Sequence, residues 1–151
     1  DIELGPLLEA AVRRARIDVQ PQSRVELRLA PAVKVRGHRT ELDRAVDNLL
    51  TNAVRYGRDP DSGALNVTVS LVRADDMAVV GVADHGPGVP TNQIERLMRP
   101  FERGEAARSG SGGAGLGLPI VQRIARMHGG DLRLLANAPH GLRAELALPV
   151  H

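Results

Sequence analysis

The chain has 151 residues, 42% of them hydrophobic and 25% charged, and its 20 basic and 18 acidic residues leave a net charge of only +2. With no cysteine it has no disulfide framework, no zinc finger and no thiol nucleophile. Balanced charge and just two aromatics, Tyr56 and Phe101, exclude the clustered cations and stacking platforms of a nucleic-acid binder.

Helical spacing of Leu4, Leu7, Leu8, Ala11, Val12 and Ala15 predicts a first helix over 4–16. Val25, Leu27 and Leu29 alternate with charged residues and read as a half-buried strand, and 33–36 as a short one. A second helix is expected over 40–56, with Leu42, Ala45, Val46, Leu49, Leu50 and Ala53 on one face and Gly57 at its end. After a turn-rich stretch at 58–63, Leu65, Val67, Val69 and Leu71 mark the clearest strand. The nearly all-apolar run 77–83 suits a central strand. A short helix is expected at 93–99 and a mobile glycine-rich loop at 104–113. A third helix is expected over 116–128 on Leu116, Ile120, Val121, Ile124 and Met127, followed by a closing strand pair at 131–135 and 143–148.

The pattern is α+β, with helices covering one face of a sheet. Its length suffices to bury roughly 70% of the unfolded surface, so 1–151 is expected to form a single domain. No apolar run approaches the ~20 residues of a membrane helix, and no signal peptide is present. Beginning at Asp1 rather than methionine, the chain reads as a piece of a longer protein, itself not inserted in a membrane.

Several familiar motifs fail. Gly110 to Gly115 spell GxGxxG, but a Ser/Gly loop precedes them where a dinucleotide fingerprint needs a strand. Lys34, the only lysine, lies between valines, so there is no Walker loop, and no Asp-Phe-Gly of a protein kinase exists. Three other features call for chemistry. Asn48, Asn52 and Tyr56 recur every four residues, with Arg55 beside them, as a polar stripe on the second helix. Asparagine is a poor interior helix former, and an amide oxygen is a hard ligand suited to Mg²⁺. Asp84 ends the apolar strand, where desolvation is costly unless something donates to it; an adenine amino group is such a donor, and Gly86 and Gly88 allow close backbone approach. Gly113-Ala-Gly115-Leu-Gly117-Leu118 opens a helix whose free N–H groups suit a phosphate. A solvated flank, a plain turn and a flexible lead-in are the alternative readings of the three.

In this order the segments resemble the catalytic ATP-binding domain of bacterial two-component sensor histidine kinases, in the GHKL or Bergerat ATPase superfamily. Asn48-Leu-Leu-Thr-Asn52-Ala-Val-Arg55-Tyr56 is similar to the family's N box, Asp84-His-Gly86-Pro-Gly88 to its first glycine box, Pro100-Phe101-Glu102-Arg103 to its F box, and Gly113 to Leu118 to its second glycine box. The resemblance implies a two-layer α/β sandwich, a mixed sheet covered on one face by about three helices. It implies ATP and Mg²⁺ as cofactors. Asn52 would ligate the metal and Asn48 assist, Arg55 would lie near phosphate, Tyr56 against adenine, and Asp84 would accept from the adenine amino group. Arg103 and Arg108 would reach phosphate from the lid, and backbone groups of Gly113, Gly115, Leu116, Gly117 and Leu118 would line its seat.

Relatives that hydrolyse ATP or phosphorylate serine resemble one another in carrying glutamate one turn before the metal asparagine. This chain has Asn48 there, which cannot act as a general base. The resemblance therefore implies transfer to histidine, with a hydrolysing switch or serine kinase, or a non-enzymatic nucleotide-binding domain, as the alternatives. None of His38, His85, His128, His140 or His151 is followed by the acid and proline expected of a phosphoacceptor. The acceptor is expected in a dimerisation segment before Asp1. A homodimeric, membrane-located parent and a cognate response regulator are the further partners implied.

Overall fold

The computed structural model describes residues 1–90, 93 and 117–151. The expected helix at 93–99, apart from Gln93, and the expected loop at 104–113 lie outside them, as do Phe101, Arg103, Arg108, Gly113, Gly115 and Leu116.

Strands β2 (Ser23–Leu29), β4 (Leu65–Ala74), β5 (Met77–Ala83), β6 (Asp131–Ala136) and β7 (Leu142–Pro149) form one sheet in the order β2-β4-β5-β7-β6. Only β2 and β4 run parallel; the other neighbours are antiparallel, so the sheet is mixed. β1 (Ile2–Glu3) and β3 (Lys34–Val35) make a separate two-stranded ladder. The strands' period-two patterning puts Leu65, Val67, Val69 and Leu71 of β4, Ala78, Val80 and Val82 of β5, and Ala144, Leu146 and Leu148 of β7 on one buried face. α1 (Leu4–Ala15), α2 (Arg39–Tyr56) and α3 (Leu118–Met127) cover that face, with α2 packed between the other two. Their apolar stripes close a single hydrophobic cluster against the sheet. The architecture is the expected α+β sandwich.

Three details differ from the sequence reading. Met127 is 60% exposed rather than part of the apolar stripe. Leu118, Val121, Ile124 and Ala125 are the buried residues of α3, and at 100° per residue Met127 falls half a turn from Leu118. α3 begins at Leu118, two residues later than expected, because Gly117 at φ 63° is its cap. Leu27 is 39% exposed because β2 is an edge strand, paired only with β4.

The core depends on α2. Leu50 is fully buried, so Leu50→Ala is expected to cost about 2–5 kcal/mol, read as a lower urea midpoint with an unchanged denaturant slope.

Candidate functional site

β5 is flanked on both sides by paired strands, so the chain leaving it is still inside the protein. Asp84, the first residue beyond it, is 8% exposed. Its carboxylate is held by the backbone: Gly86 N–H donates to Oδ1 at 2.9 Å and Leu142 N–H at 3.2 Å. Its own N–H donates to the Leu142 carbonyl at 3.0 Å. The loop between β6 and β7 completes the cradle. The Asn137 amide donates to the Asp84 carbonyl at 2.7 Å, and His140 Nδ1 lies 3.0 Å from the Gly86 carbonyl. Gly141 adopts φ 128°, and a Cβ there would overlap the Asp84 carbonyl. A side chain at Gly86 would likewise collide with the Tyr56 carbonyl, so the Asp84 turn packs directly on the end of α2.

Between α2, the end of β5, the start of α3 and β7 lies a cavity of about 290 Å³. Asn52, Tyr56, Asp84, Gly88 and Leu118 line it, together with Leu49, Val82, Leu142 and Ala144. The residues singled out on separate segments thus converge on one space. Asn52 is buried and Tyr56 is 40% exposed at the rim. Asn48, half-buried one turn earlier, does not line the cavity; its amide packs on the Cα of Gly117, where a Cβ would come within 3.0 Å. That contact joins the asparagine helix to the cap of α3. Gly86 is buried in the turn behind the wall, and Arg55 is exposed and lies off the cavity.

The sequence reading missed the contribution of residues 137–142. Asn137, Gly141 and Leu142 hold Asp84 and Leu142 also lines the cavity. A glycine set between two strands was the available signal, but its partner lies more than fifty residues away.

Burial pushes the Asp84 carboxyl above the ordinary carboxylate range, against the opposing pull of the Gly86 and Leu142 N–H groups and of nearby His85. The site therefore presents an acceptor in an apolar slot: both backbone bonds go to Oδ1, and among the described residues none bonds Oδ2.

Residues 37–151 match the family described as histidine kinase-, DNA gyrase B-, and HSP90-like ATPase. The chain belongs to this family. It is similar to the sensor-like histidine kinase SenX3 of Mycobacterium tuberculosis, 34% identical over 152 residues that cover 99% of this chain and 36% of the relative. Among solved structures it is similar to the mycobacterial sensor histidine kinase MprB (TM-score 0.80, 29% identity, 99% of this chain and 96% of the other). The ATP-binding domain of PrrB from Mycobacterium tuberculosis aligns with a TM-score of 0.77 at 29% identity, over 99% of this chain and 96% of the other. This is an ATP-binding domain of the sensor histidine kinase type. It spans between 21% and 36% of the length of the curated relatives it matches, and no helix among its described residues is long and apolar enough to cross a membrane.

The raised Asp84 carboxyl has a consequence for stability. The folded domain holds that proton more tightly than the unfolded chain, so this group's contribution falls as pH rises from the ordinary carboxylate range through the raised folded value. Asp84→Asn keeps an oxygen for the Gly86 and Leu142 N–H groups and removes the buried charge. The nucleotide-free variant is expected to be at least as stable as the parent at pH 7, with a flatter profile in urea unfolding between pH 4 and 8.

Proposed function

We propose that this histidine kinase domain binds Mg-ATP in the cavity beside Asp84 and transfers the γ-phosphoryl group to a histidine of a dimerisation domain, for relay to an aspartate of a response regulator. The observation that carries the proposal is the buried carboxylate, anchored through Oδ1 and, among the described residues, unbonded at Oδ2, in a mostly apolar slot. A purine amino group satisfies Oδ2, while Leu49, Val82 and Ala144 offer its ring an apolar bed. The slot's volume lies near the lower end of the range for small-molecule pockets, about 300–1,000 Å³.

Asp84 is the specificity residue in this reading, Tyr56 shields the base at the rim, and Gly88 lets the turn lie close to it. Asn52 and Asn48 are the residues that would hold Mg²⁺; their neutral amide oxygens suit a hard ion whose charge is balanced by phosphate. When bound, the ion neutralises charge on the phosphoryl group being transferred. Gly117 and Leu118, at the start of α3, would present backbone N–H groups to phosphate. The same proposal gives Gly113, Gly115 and Leu116 a share of that seat, and Arg103 and Arg108 the role of cations on the phosphates. Arg55 is proposed near phosphate as well, although its exposed side chain lies off the cavity.

With asparagine at position 48, one turn before Asn52, that position offers no carboxylate to activate water, which favours transfer over hydrolysis. His128 already uses both ring nitrogens, Nδ1 against the Ile124 carbonyl at 2.7 Å and Nε2 accepting from His38 N–H at 3.1 Å. This supports an acceptor histidine on another segment, in a homodimeric, membrane-located parent whose kinase domain faces the cytoplasm. The domain alone is then not competent for autophosphorylation.

Two measurements test the reading. Asp84→Ala is expected to weaken ATP by roughly tenfold to a hundredfold, the ~1.5–3 kcal/mol of a charge-assisted hydrogen bond; calorimetry showing unchanged affinity would remove the site. Radiolabelled ATP, the domain and its dimerisation segment are expected to yield an acid-labile, base-stable phosphohistidine. Label on serine, or release of inorganic phosphate alone, would move the assignment to another branch of the superfamily.

A further inference from the structure

We infer that Asp59, Asp61 and His140 form a binding site for a borderline divalent cation of the Zn²⁺ type, outside the nucleotide cavity. Asp59 and Asp61 stand in the loop after α2, and His140 in the loop between β6 and β7. One carboxylate oxygen from each aspartate and one ring nitrogen all lie within 4.8 Å of one another. None of the three residues lines the cavity beside Asp84.

The geometry of His140 carries the inference. Its Nδ1 lies 3.0 Å from the Gly86 carbonyl. A carbonyl only accepts, so the contact places a proton on Nδ1 and leaves Nε2 as the ring atom turned toward Asp59 and able to coordinate. A histidine whose first nitrogen is tied to a backbone carbonyl is held in the tautomer and orientation that metal coordination uses. Nε2 stands 3.6 Å from Asp59 Oδ2. That separation is too long for an ordinary hydrogen bond. It is close to the edge, about 3.4 Å, of a tetrahedron whose ligands sit ~2.1 Å from Zn²⁺.

The Asp59 carboxylate is turned the same way. Asp59 Oδ1 accepts from the N–H groups of Asp61 at 2.8 Å and Ser62 at 3.1 Å, leaving Oδ2 toward His140. Neighbouring Arg58 spends its guanidinium on the Pro21 and Gly63 carbonyls, both at 2.8 Å. Among the described residues no lysine or arginine pairs with Asp59 or Asp61. Three ligand-bearing side chains therefore converge with no lysine or arginine between them among the described residues. One imidazole with two carboxylates suits Zn²⁺ better than Mg²⁺, which prefers an all-oxygen shell, and positions beyond three are open to water because Asp61 is exposed.

The test uses the nucleotide-free domain titrated with ZnCl₂ by calorimetry, with MgCl₂ as the control. One Zn²⁺ per chain is expected, weakened at least about tenfold by Asp61→Asn, whose side chain makes no hydrogen bond or ion pair among the described residues. Imidazole ¹⁵N spectra are expected to show His140 metal-bound at Nε2 and still protonated at Nδ1. Absence of saturable Zn²⁺ binding overturns the inference. So does binding of equal strength in Asp61→Asn and His140→Gln, which would assign the ion to other histidines, or a doubly protonated His140 ring in the presence of Zn²⁺, which would leave only an ion pair with Asp59.

Discussion

A buried carboxylate that pairs with no lysine or arginine among the described residues imposes order on everything around it. Unpaired, such a group costs several kcal/mol on transfer from water, and Asp84 meets that cost with two backbone donors from two different segments. One is local, the Gly86 N–H of its own turn. The other, Leu142 N–H, arrives only when β7 has docked against β5 in the register that pairs Val82 with Ala144. The site is therefore not a loop laid on a finished scaffold. Its central group gains its second Oδ1 donor only from the completed antiparallel half of the sheet, with Asn137 fixing the same turn from the β6 side.

α2 performs a complementary task along one axis. Tyr56, Asn52 and Asn48 are successive turns apart, so at 1.5 Å per residue they mark out about 12 Å. At one end the Tyr56 carbonyl packs on Gly86 and the Asp84 turn; at the other, the Asn48 amide packs on Gly117, the cap of α3. The cavity inherits a polarity from this arrangement. Its deep carboxylate lies at the C-terminal end of α2, and the free N–H groups that open α3 lie toward the other end. A ligand with a neutral, amine-bearing ring and an anionic tail fits that polarity in one direction only.

How much of this was legible depended on the range of the interaction. Period-two and period-3.6 patterns located the strands and helices because those patterns are set by the nearest face. The Asn48, Asn52 and Tyr56 stripe was visible for the same reason, since residues four apart on a helix share a side. Asp84 could be singled out as an acid misplaced at the end of an apolar run. What satisfies it could not, because Leu142 and Asn137 reach it through strand pairing over more than fifty residues. Met127 shows the opposite limit: an apolar residue near the helical period still faces solvent when the stripe is set by Leu118, Val121, Ile124 and Ala125. The proximity of Asp59, Asp61 and His140 was likewise invisible, since it depends on two loops meeting behind the Asp84 turn.

The fold by itself does not choose a reaction. The Asp84 end of the cavity, with its buried acid and apolar bed, would as a purine site serve any protein that uses ATP, whether it hydrolyses the nucleotide, passes a phosphoryl group on, or only senses its presence. In the proposed reading the difference falls one turn of α2 before Asn52. A carboxylate there would supply a base for water; the amide of Asn48 supplies a neutral group that can donate or accept but not remove a proton. Such an exchange alters neither the length of α2 nor its buried face, because position 48 is half-buried beside the core rather than within it. The chemistry can therefore change while Asp84, β7 and the sheet register stay as they are, and under the proposed function the amide at position 48 would leave water unactivated and the phosphoryl group available to a nucleophile supplied from elsewhere.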